Sequence, residues 1–166
     1  MPILDTRIDR DALSIEFTAE FDAPIERVWA LWEDPRQLER WWGPPGWPAT
    51  FTRHDLTVGG ESRYHMTGPE GEVSAAWFRM TKVDPPTVIE FDDGFAGDDG
   101  EPDLSQPIIR GRVSFEAVSA NRTRMLTTVS FDSLSDFDTI AGMGMHEGMS
   151  AAMGQIDGIL LAGEPS

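Results

Sequence analysis

The chain has 166 residues, the usual size of one domain, and its 40% apolar and 25% charged residues are enough to form a packed core. Acidic residues outnumber basic ones by 29 to 13, and the net charge of -16 argues against nucleic acid or an anionic membrane surface as the partner. The chain has no cysteine, which excludes disulfides, thiolate nucleophiles and cysteine-ligated metal sites. We predict a single domain over residues 1–166, with residues 1–10 as an N-terminal arm.

The first predicted elements are one strand and two short helices. Residues 13–21 alternate in part between apolar and polar side chains, which predicts a strand. Pro24 begins the first helix, at a position where the missing N–H of proline costs nothing. Asp34 caps a second helix that begins at Pro35, and the Gly/Pro-rich residues 43–46 end it.

The middle of the chain is predicted to be a meander of antiparallel strands. Residues 119–122 form a hairpin turn, and Gly- or Pro-rich turns join most of the other strands. Residues 92–103 are rich in Asp and Glu, but their spacing does not fit an EF-hand calcium loop. We expect a solvated loop there, with residues 96–106 as the most mobile internal segment. The predicted strands are residues 50–58, 61–67, 73–83, 87–92, 108–118 and 123–131.

The last predicted element is a long amphipathic helix over residues 137–161. Its apolar residues recur at the three- and four-residue spacing of a helix. These residues are Met145, Met149, Ala152, Met153, Ile156, Ile159 and Leu160. A strand meander followed by one apolar helix predicts an α+β fold in which a curved antiparallel sheet wraps around the C-terminal helix.

The most specific segment is residues 21–47, FDAPIERVWALWEDPRQLERWWGPPGW. It resembles the start of the activator of heat-shock-protein-90 ATPase homologue family, within the START-like (SRPBCC, helix-grip) superfamily. The resemblance continues through DLTVGG at 55–60, MTGPEG at 66–71, VDPP at 83–86 and GMGMHEG at 142–148. It implies a helix-grip fold, in which a curved sheet closes on the C-terminal helix and leaves an apolar cavity between them.

Large aromatic side chains and methionines are the candidates for lining such a cavity. Three tryptophans cluster beside the Gly/Pro turn, and three methionines, which adapt to variable apolar shapes, lie along the last helix. Core packing is the alternative reading for both groups. The candidate ligand-binding residues are Trp41, Trp42, Trp47, Tyr64, His65, Met66, Trp77, Phe78, Phe91, Met145, Met149 and Met153. Strand alternation leaves open which of Tyr64, His65 and Arg79 face inward.

The sequence carries no recognisable catalytic or metal-binding motif. His146-Glu147 is not followed by the second histidine of a zinc-protease helix, and no Gly-x-Ser-x-Gly elbow is present. We therefore predict no catalytic set, no metal and no cofactor. If the cavity supports catalysis, it needs a general acid or base, and His65 with Tyr64 would be the candidates.

These observations favour a small-molecule binding protein that holds an apolar or aromatic ligand in the cavity. The resemblance implies a first alternative, a stress-response module that interacts with a chaperone or another protein. A second alternative is a cyclase- or dehydratase-type enzyme that uses the same cavity. We expect a cytoplasmic protein, because the N-terminus lacks the basic and apolar segments of a signal peptide. We expect it to be a monomer or a homodimer.

Overall fold

An eight-stranded antiparallel sheet forms the framework of the computed structural model, which describes residues 3–162. Its strands are β1 (Ile3–Asp9), β2 (Ser14–Phe21), β3 (Ala49–His54), β4 (Glu61–Thr67), β5 (Val73–Asp84), β6 (Val88–Phe95), β7 (Ile108–Ser119) and β8 (Arg122–Phe131). They pair in the order β1-β2-β8-β7-β6-β5-β4-β3, so β1 and β3 are the edges. Every neighbouring pair from β3 to β8 is consecutive in the chain, which confirms the predicted meander.

Five helices complete the fold of the described residues. They are α1 (Ile25–Glu33), α2 (Pro35–Trp41), α3 (Leu134–Gly142), α4 (Met145–Met153) and α5 (Ile156–Leu161). The curved sheet with helices confirms the predicted α+β, helix-grip class. Within the described part of the chain, none of these helices is long and apolar enough to cross a bilayer.

Most of the predicted N-terminal arm forms the edge strand β1. Residues 5–9 pair antiparallel with β2, and Asp9 lies opposite Ser14. The apolar pattern does not reveal this strand, because Asp5, Arg7 and Ile8 are exposed and the strand is held by backbone hydrogen bonds. Residues 1 and 2 of the predicted arm lie outside the described residues.

The C-terminal segment, predicted as one helix over residues 137–161, is three consecutive helices. The first interruption lies at Gly144, whose backbone is left-handed with φ +83°, a conformation that glycine adopts without steric cost. The second lies at Gly154, where α4 ends. The apolar stripe continues through both interruptions, which is why helical spacing alone predicts a single element.

Hydrogen bonds join α1 and α2 to each other and to the C-terminal helices. The Trp41 indole N–H donates to the Leu31 carbonyl at 3.0 Å, which joins α2 to α1. The Gln155 amide donates to the carbonyl oxygens of Trp41 at 3.2 Å and Gly43 at 2.7 Å. The end of α2 and the link between α4 and α5 are thereby held together above the inner face of the sheet.

Candidate ligand-binding cavity

A cavity of about 340 Å³ lies between the inner face of the sheet and the break between α3 and α4. This volume is within the range of small-molecule sites in proteins. The wall is mostly apolar, and Met143, which is 60% exposed, lies where the cavity meets solvent. The lining residues are Trp42, Pro44, Tyr64, Met66, Ser74, Phe91, Asp93, Phe95, Ile109, Thr127, Val129, Ile140, Met143, Gly144, Met145, Gly148 and Met149.

Strand alternation places one row of β6 side chains in the cavity wall. Phe91, Asp93 and Phe95 are two residues apart, so they share the inner face of the sheet. Ile109 of β7 lies opposite Asp93 in the register of the two strands and lines the same wall. A carboxyl group therefore stands in the middle of an apolar surface.

The Asp93 carboxylate accepts a hydrogen bond of 2.9 Å from the Tyr64 hydroxyl, and both side chains line the cavity. Burial raises the pKa of Asp93 from 3.8 to about 7, and the hydrogen bond from Tyr64 opposes that rise. Burial also raises the pKa of Tyr64 well above its ordinary value, and the negative charge of Asp93 adds to the effect. Among the described residues no Lys, Arg or His side chain lines the cavity, so the protein places no cation beside this carboxyl.

Two further polar atoms at the cavity wall are buried without a hydrogen-bond partner: Nε1 of Trp42 and Oγ1 of Thr127. These residues are 5% and 1% exposed. The Trp42 N–H lies near enough to the Tyr64 hydroxyl to lower its pKa in part, but the contact lacks hydrogen-bond geometry. A buried polar group without a partner costs about 1–3 kcal/mol, so these atoms favour a ligand that carries a complementary group.

The structure divides the twelve candidate residues of the sequence analysis into two groups. Half of them line the cavity, and their binding of a ligand remains a prediction: Trp42, Tyr64, Met66, Phe91, Met145 and Met149. Three others lie in the core instead. Trp41 and Phe78 pack against the Trp42 ring, with centroid distances of 5.5 Å and 5.1 Å, and Met153 is fully buried. Trp47 also lies off the wall and packs against Gly68 after β4.

His65 and Trp77 lie on the outer face of the sheet, away from the cavity. His65 alternates with the inward-facing Tyr64 and Met66, so its side chain projects to the opposite side. Trp77 covers Gly94 on the neighbouring strand, where a side chain would collide with the indole ring, and donates a hydrogen bond of 3.1 Å to the Phe95 carbonyl. Arg79 is also on the outer face, paired with Glu61.

The residue that sequence reasoning misses is Asp93. The acidic composition of residues 92–103 places Asp93 in a predicted loop. In the structure β6 extends to Phe95, so Asp93 belongs to the strand. The signal that could have found it is the alternation of Phe91, Asp93 and Phe95, which places the carboxyl on the same face as two aromatic rings. Other lining residues missed by the sequence analysis, such as Ile109 and Thr127, have no distinguishing pattern, because their position depends on how the sheet closes on the helices.

A family model described as Activator of Hsp90 ATPase homolog 1-like protein matches residues 22–160, and the chain belongs to this family. A solved structure from Arthrobacter aurescens is 48% identical, with 96% of this chain and 92% of that chain covered and a TM-score of 0.91. A protein from Mycobacterium smegmatis is 40% identical, with 99% of this chain and 100% of that chain covered and a TM-score of 0.88. A protein from Staphylococcus epidermidis is 27% identical, with 98% of this chain and 97% of that chain covered and a TM-score of 0.82. No curated protein matches the sequence.

Proposed function

We propose that this protein binds a small molecule with an apolar or aromatic body in the cavity between the sheet and the C-terminal helices. The observation that carries the proposal is the cavity itself, about 340 Å³ with mostly apolar walls and a hydrogen-bonded pair formed by the buried Tyr64 and the half-buried Asp93. A concave, mostly apolar pocket with a few convergent polar groups is the usual form of a small-molecule site. The polar pair would orient the ligand, and the apolar wall would supply most of the affinity.

Gly148 supports the same function because it keeps space open at a cost in stability. It lies inside α4, where glycine is about 1 kcal/mol less favourable than alanine. A Cβ atom built at Gly148 has no heavy atom within 4 Å, so close packing does not require glycine there. Its position in the cavity wall gives a reason for the missing side chain, since any side chain would reduce the ligand's space.

Calorimetric titration with a panel of neutral aromatic and aliphatic compounds tests this function, with naphthylethanol as the reference probe. Gly148→Leu would fill the cavity, and we expect affinity to fall at least about tenfold. Gly158→Leu is the matched control, since Gly158 is also helical and has no heavy atom near its Cβ but does not line the cavity. Absence of binding across the panel even at millimolar concentration would contradict the proposal.

A second candidate function is interaction with a chaperone, because the description of the matching family refers to an activator of the Hsp90 ATPase. That function would use the surface of the protein and would not respond to filling of the cavity. Stimulation of an Hsp90 ATPase that is equal for the natural protein and Gly148→Leu, with no ligand bound by either, would favour it.

The third candidate, acid–base catalysis of the cyclase or dehydratase type, is supported by the Tyr64–Asp93 pair. Asp93 has a pKa of about 7, in the range that suits proton transfer near neutral pH. His65, the base considered from the sequence, lies on the outer face and does not enter this candidate. Conversion of a bound ligand that is lost in Asp93→Asn would favour catalysis over simple binding.

A further inference from the structure

The Asp93 carboxyl has no cationic partner among the described residues, although it stands in an apolar cavity wall. Its neighbours across the sheet, Phe78 on β5 and Ile109 on β7, are apolar. The described side chains contribute one polar contact, the hydrogen bond from Tyr64. A buried carboxylate is costly unless a positive charge or several hydrogen bonds compensate it. Because the described residues supply no such charge, the carboxyl is either protonated or paired with a charge that a ligand carries.

Aromatic rings surround the same space. Trp42, Tyr64, Phe91 and Phe95 all line the cavity, and their electron-rich faces attract cations, Trp most strongly. A carboxylate combined with several aromatic rings is chemically suited to an ammonium group attached to an apolar body. The same surroundings are unsuited to an anion, because no basic side chain in the described part of the chain lines the cavity.

We infer that the cavity selects a hydrophobic amine, bound as its cation with the ammonium group at the Asp93 carboxylate and the apolar body against the aromatic wall. This inference rests on the proposed function and names its ligand class. The net charge of -16 favours it further, because an acidic protein attracts cations and repels anions at long range.

The charged side chains near Asp93 on neighbouring elements do not face it. Asp92 is on the outer face of β6 and pairs with Arg110 of β7 at 2.9 Å. On β4, Arg63 lies on the outer face and pairs with Glu61 at 2.9 Å. On α4, His146 stacks on Phe17 and Glu147 is exposed, and neither lines the cavity. Tyr64 is therefore the one other titratable group that faces Asp93 among the described residues.

This arrangement couples amine binding to a proton. Below a pH of about 7 much of Asp93 is protonated, so a bound ammonium group drives the carboxylic acid to release its proton to solvent. Amine affinity should therefore increase with pH, approaching about tenfold per pH unit below the pKa and levelling off above it. A neutral ligand of the same shape should release no proton.

The test compares naphthylethylamine, naphthylethanol and naphthylacetate, which share an aromatic body and differ in charge. Calorimetry at about pH 6 and about pH 8, in two buffers of different ionisation enthalpy, gives both affinity and proton release. We expect the amine to bind at least about tenfold more tightly than the alcohol at the higher pH, and the acetate most weakly. The advantage of the amine should shrink at the lower pH, where proton release should accompany its binding.

Asp93→Asn and Asp92→Asn form a matched pair of variants on opposite faces of β6. In Asp93→Asn the amide oxygen of the new side chain would still accept the Tyr64 hydrogen bond, so we expect this variant to fold and to lose much less affinity for naphthylethanol than for the amine. It should lose at least about tenfold in affinity for the amine and release no proton, whereas Asp92→Asn should behave like the natural protein.

The outcomes separate this inference from the proposed function. If naphthylethanol binds but the amine has no advantage, or if Asp93→Asn leaves amine affinity intact, the inference is wrong and the binding function stands. Tighter binding of naphthylacetate would also overturn the inference. If none of the three compounds binds, and the neutral panel does not bind either, both the inference and the proposed function are wrong.

Discussion

Asp93 is the residue at which stability and binding oppose each other. Its pKa is raised in the folded state, so the folded protein retains a proton that the unfolded chain loses above about pH 3.8. As pH rises from 3.8 to about 7, the free energy of unfolding falls by about 1.4 kcal/mol per pH unit, or about 4 kcal/mol in all. Above about pH 7 the ionisation of Asp93 lowers the free energy of unfolding no further.

Asp93→Asn should remove this loss. We expect its unfolding free energy to exceed that of the natural protein by roughly 3 kcal/mol more at about pH 8 than at about pH 5. Urea denaturation at the two pH values measures the difference. The pKa of His54 is also lowered by burial, but His54 is present in both proteins, so its contribution cancels in the difference between their unfolding free energies. A pH-independent difference would mean that Asp93 does not titrate as a buried carboxyl.

Trp42 is the one tryptophan among the described residues that line the cavity, which predicts where a fluorescence signal originates. Binding of an apolar ligand should change the emission of the natural protein and of Trp47→Phe. The same ligand should cause little change in Trp42→Phe, which keeps most of the aromatic bulk. The ligand should first be shown by calorimetry to bind both variants. A response lost in Trp77→Phe and retained in Trp42→Phe would place the ligand on the outer face.

Sequence reasoning reaches the aromatic part of the site but not its polar part. Trp42, Tyr64 and Phe91 are predictable because large rings are the usual lining of apolar cavities. Asp93 is not, because it lies in an acidic run whose composition indicates a solvated loop. Its pKa depends on burial in the cavity wall and on the absence of a nearby cation among the described residues, and neither property is encoded locally in the sequence.

At the scale of elements, the break between α3 and α4 forms one wall of the cavity. Ile140 of α3, Met143 and Gly144 of the break, and Met145 and Met149 of α4 all line it. The apolar stripe predicts helices along this segment, but not the left-handed backbone of Gly144. Glycine permits that conformation without requiring it, so the position of the break cannot be predicted from the glycine alone.

Gly148→Leu should make α4 more stable even though it impairs binding. Leucine has a higher helix propensity than glycine, and its side chain would enter open space and bury apolar surface. We expect an increase of about 0.5–1 kcal/mol in the free energy of unfolding, measured with urea. Gly158→Leu should give a gain from helix propensity without the loss of binding. A decrease for Gly148→Leu would show that the cavity does not accept the side chain.

The last helix, α5, should be required for stability because it completes the core. Ile156 is fully buried, whereas Leu161 on the same helix is 89% exposed. Ile156→Asp would bury an unpaired charge and should reduce the free energy of unfolding by roughly 3–5 kcal/mol. Leu161→Asp is the control and should change it by less than about 0.5 kcal/mol. An unchanged melting temperature for Ile156→Asp would contradict the placement of α5 in the core.

At the scale of the whole molecule, local signals predict most of the meander but not its closure. Turn residues and apolar alternation indicate the hairpins from β3 to β8, except the β6–β7 connection, which runs through the acidic loop. The pairing of β2 with β8, which joins residues more than a hundred positions apart, follows from no local pattern. The family resemblance implies a curved sheet that closes on the C-terminal helix, but it does not name this strand pair. The size of the cavity depends on how all elements pack, so composition cannot give it.

The distribution of contacts also predicts where the molecule opens first. Residues 96–106 lie between β6 and β7, and several of their hydrogen bonds are formed within the loop. For example, the Gly97 N–H donates to the Glu101 carbonyl at 2.9 Å. Asp98 and Asp99 are exposed, and the Glu101–Arg63 ion pair at 3.6 Å is partly solvated. Exposed pairs of this kind contribute little, so the loop has few anchors.

Amide hydrogen exchange should therefore be fastest, among internal segments, at residues 96–106 and slowest in β8, which pairs with a strand on each side. Neither the described loop nor the rest of the described chain holds a group of three or more His, Asp or Glu side chains arranged to bind a metal. Exchange should consequently be unchanged by a chelator. Slow exchange in this loop that becomes fast when the chelator is added would instead reveal a bound calcium ion. Slow exchange without a chelator effect would mean that the loop is held by contacts other than these.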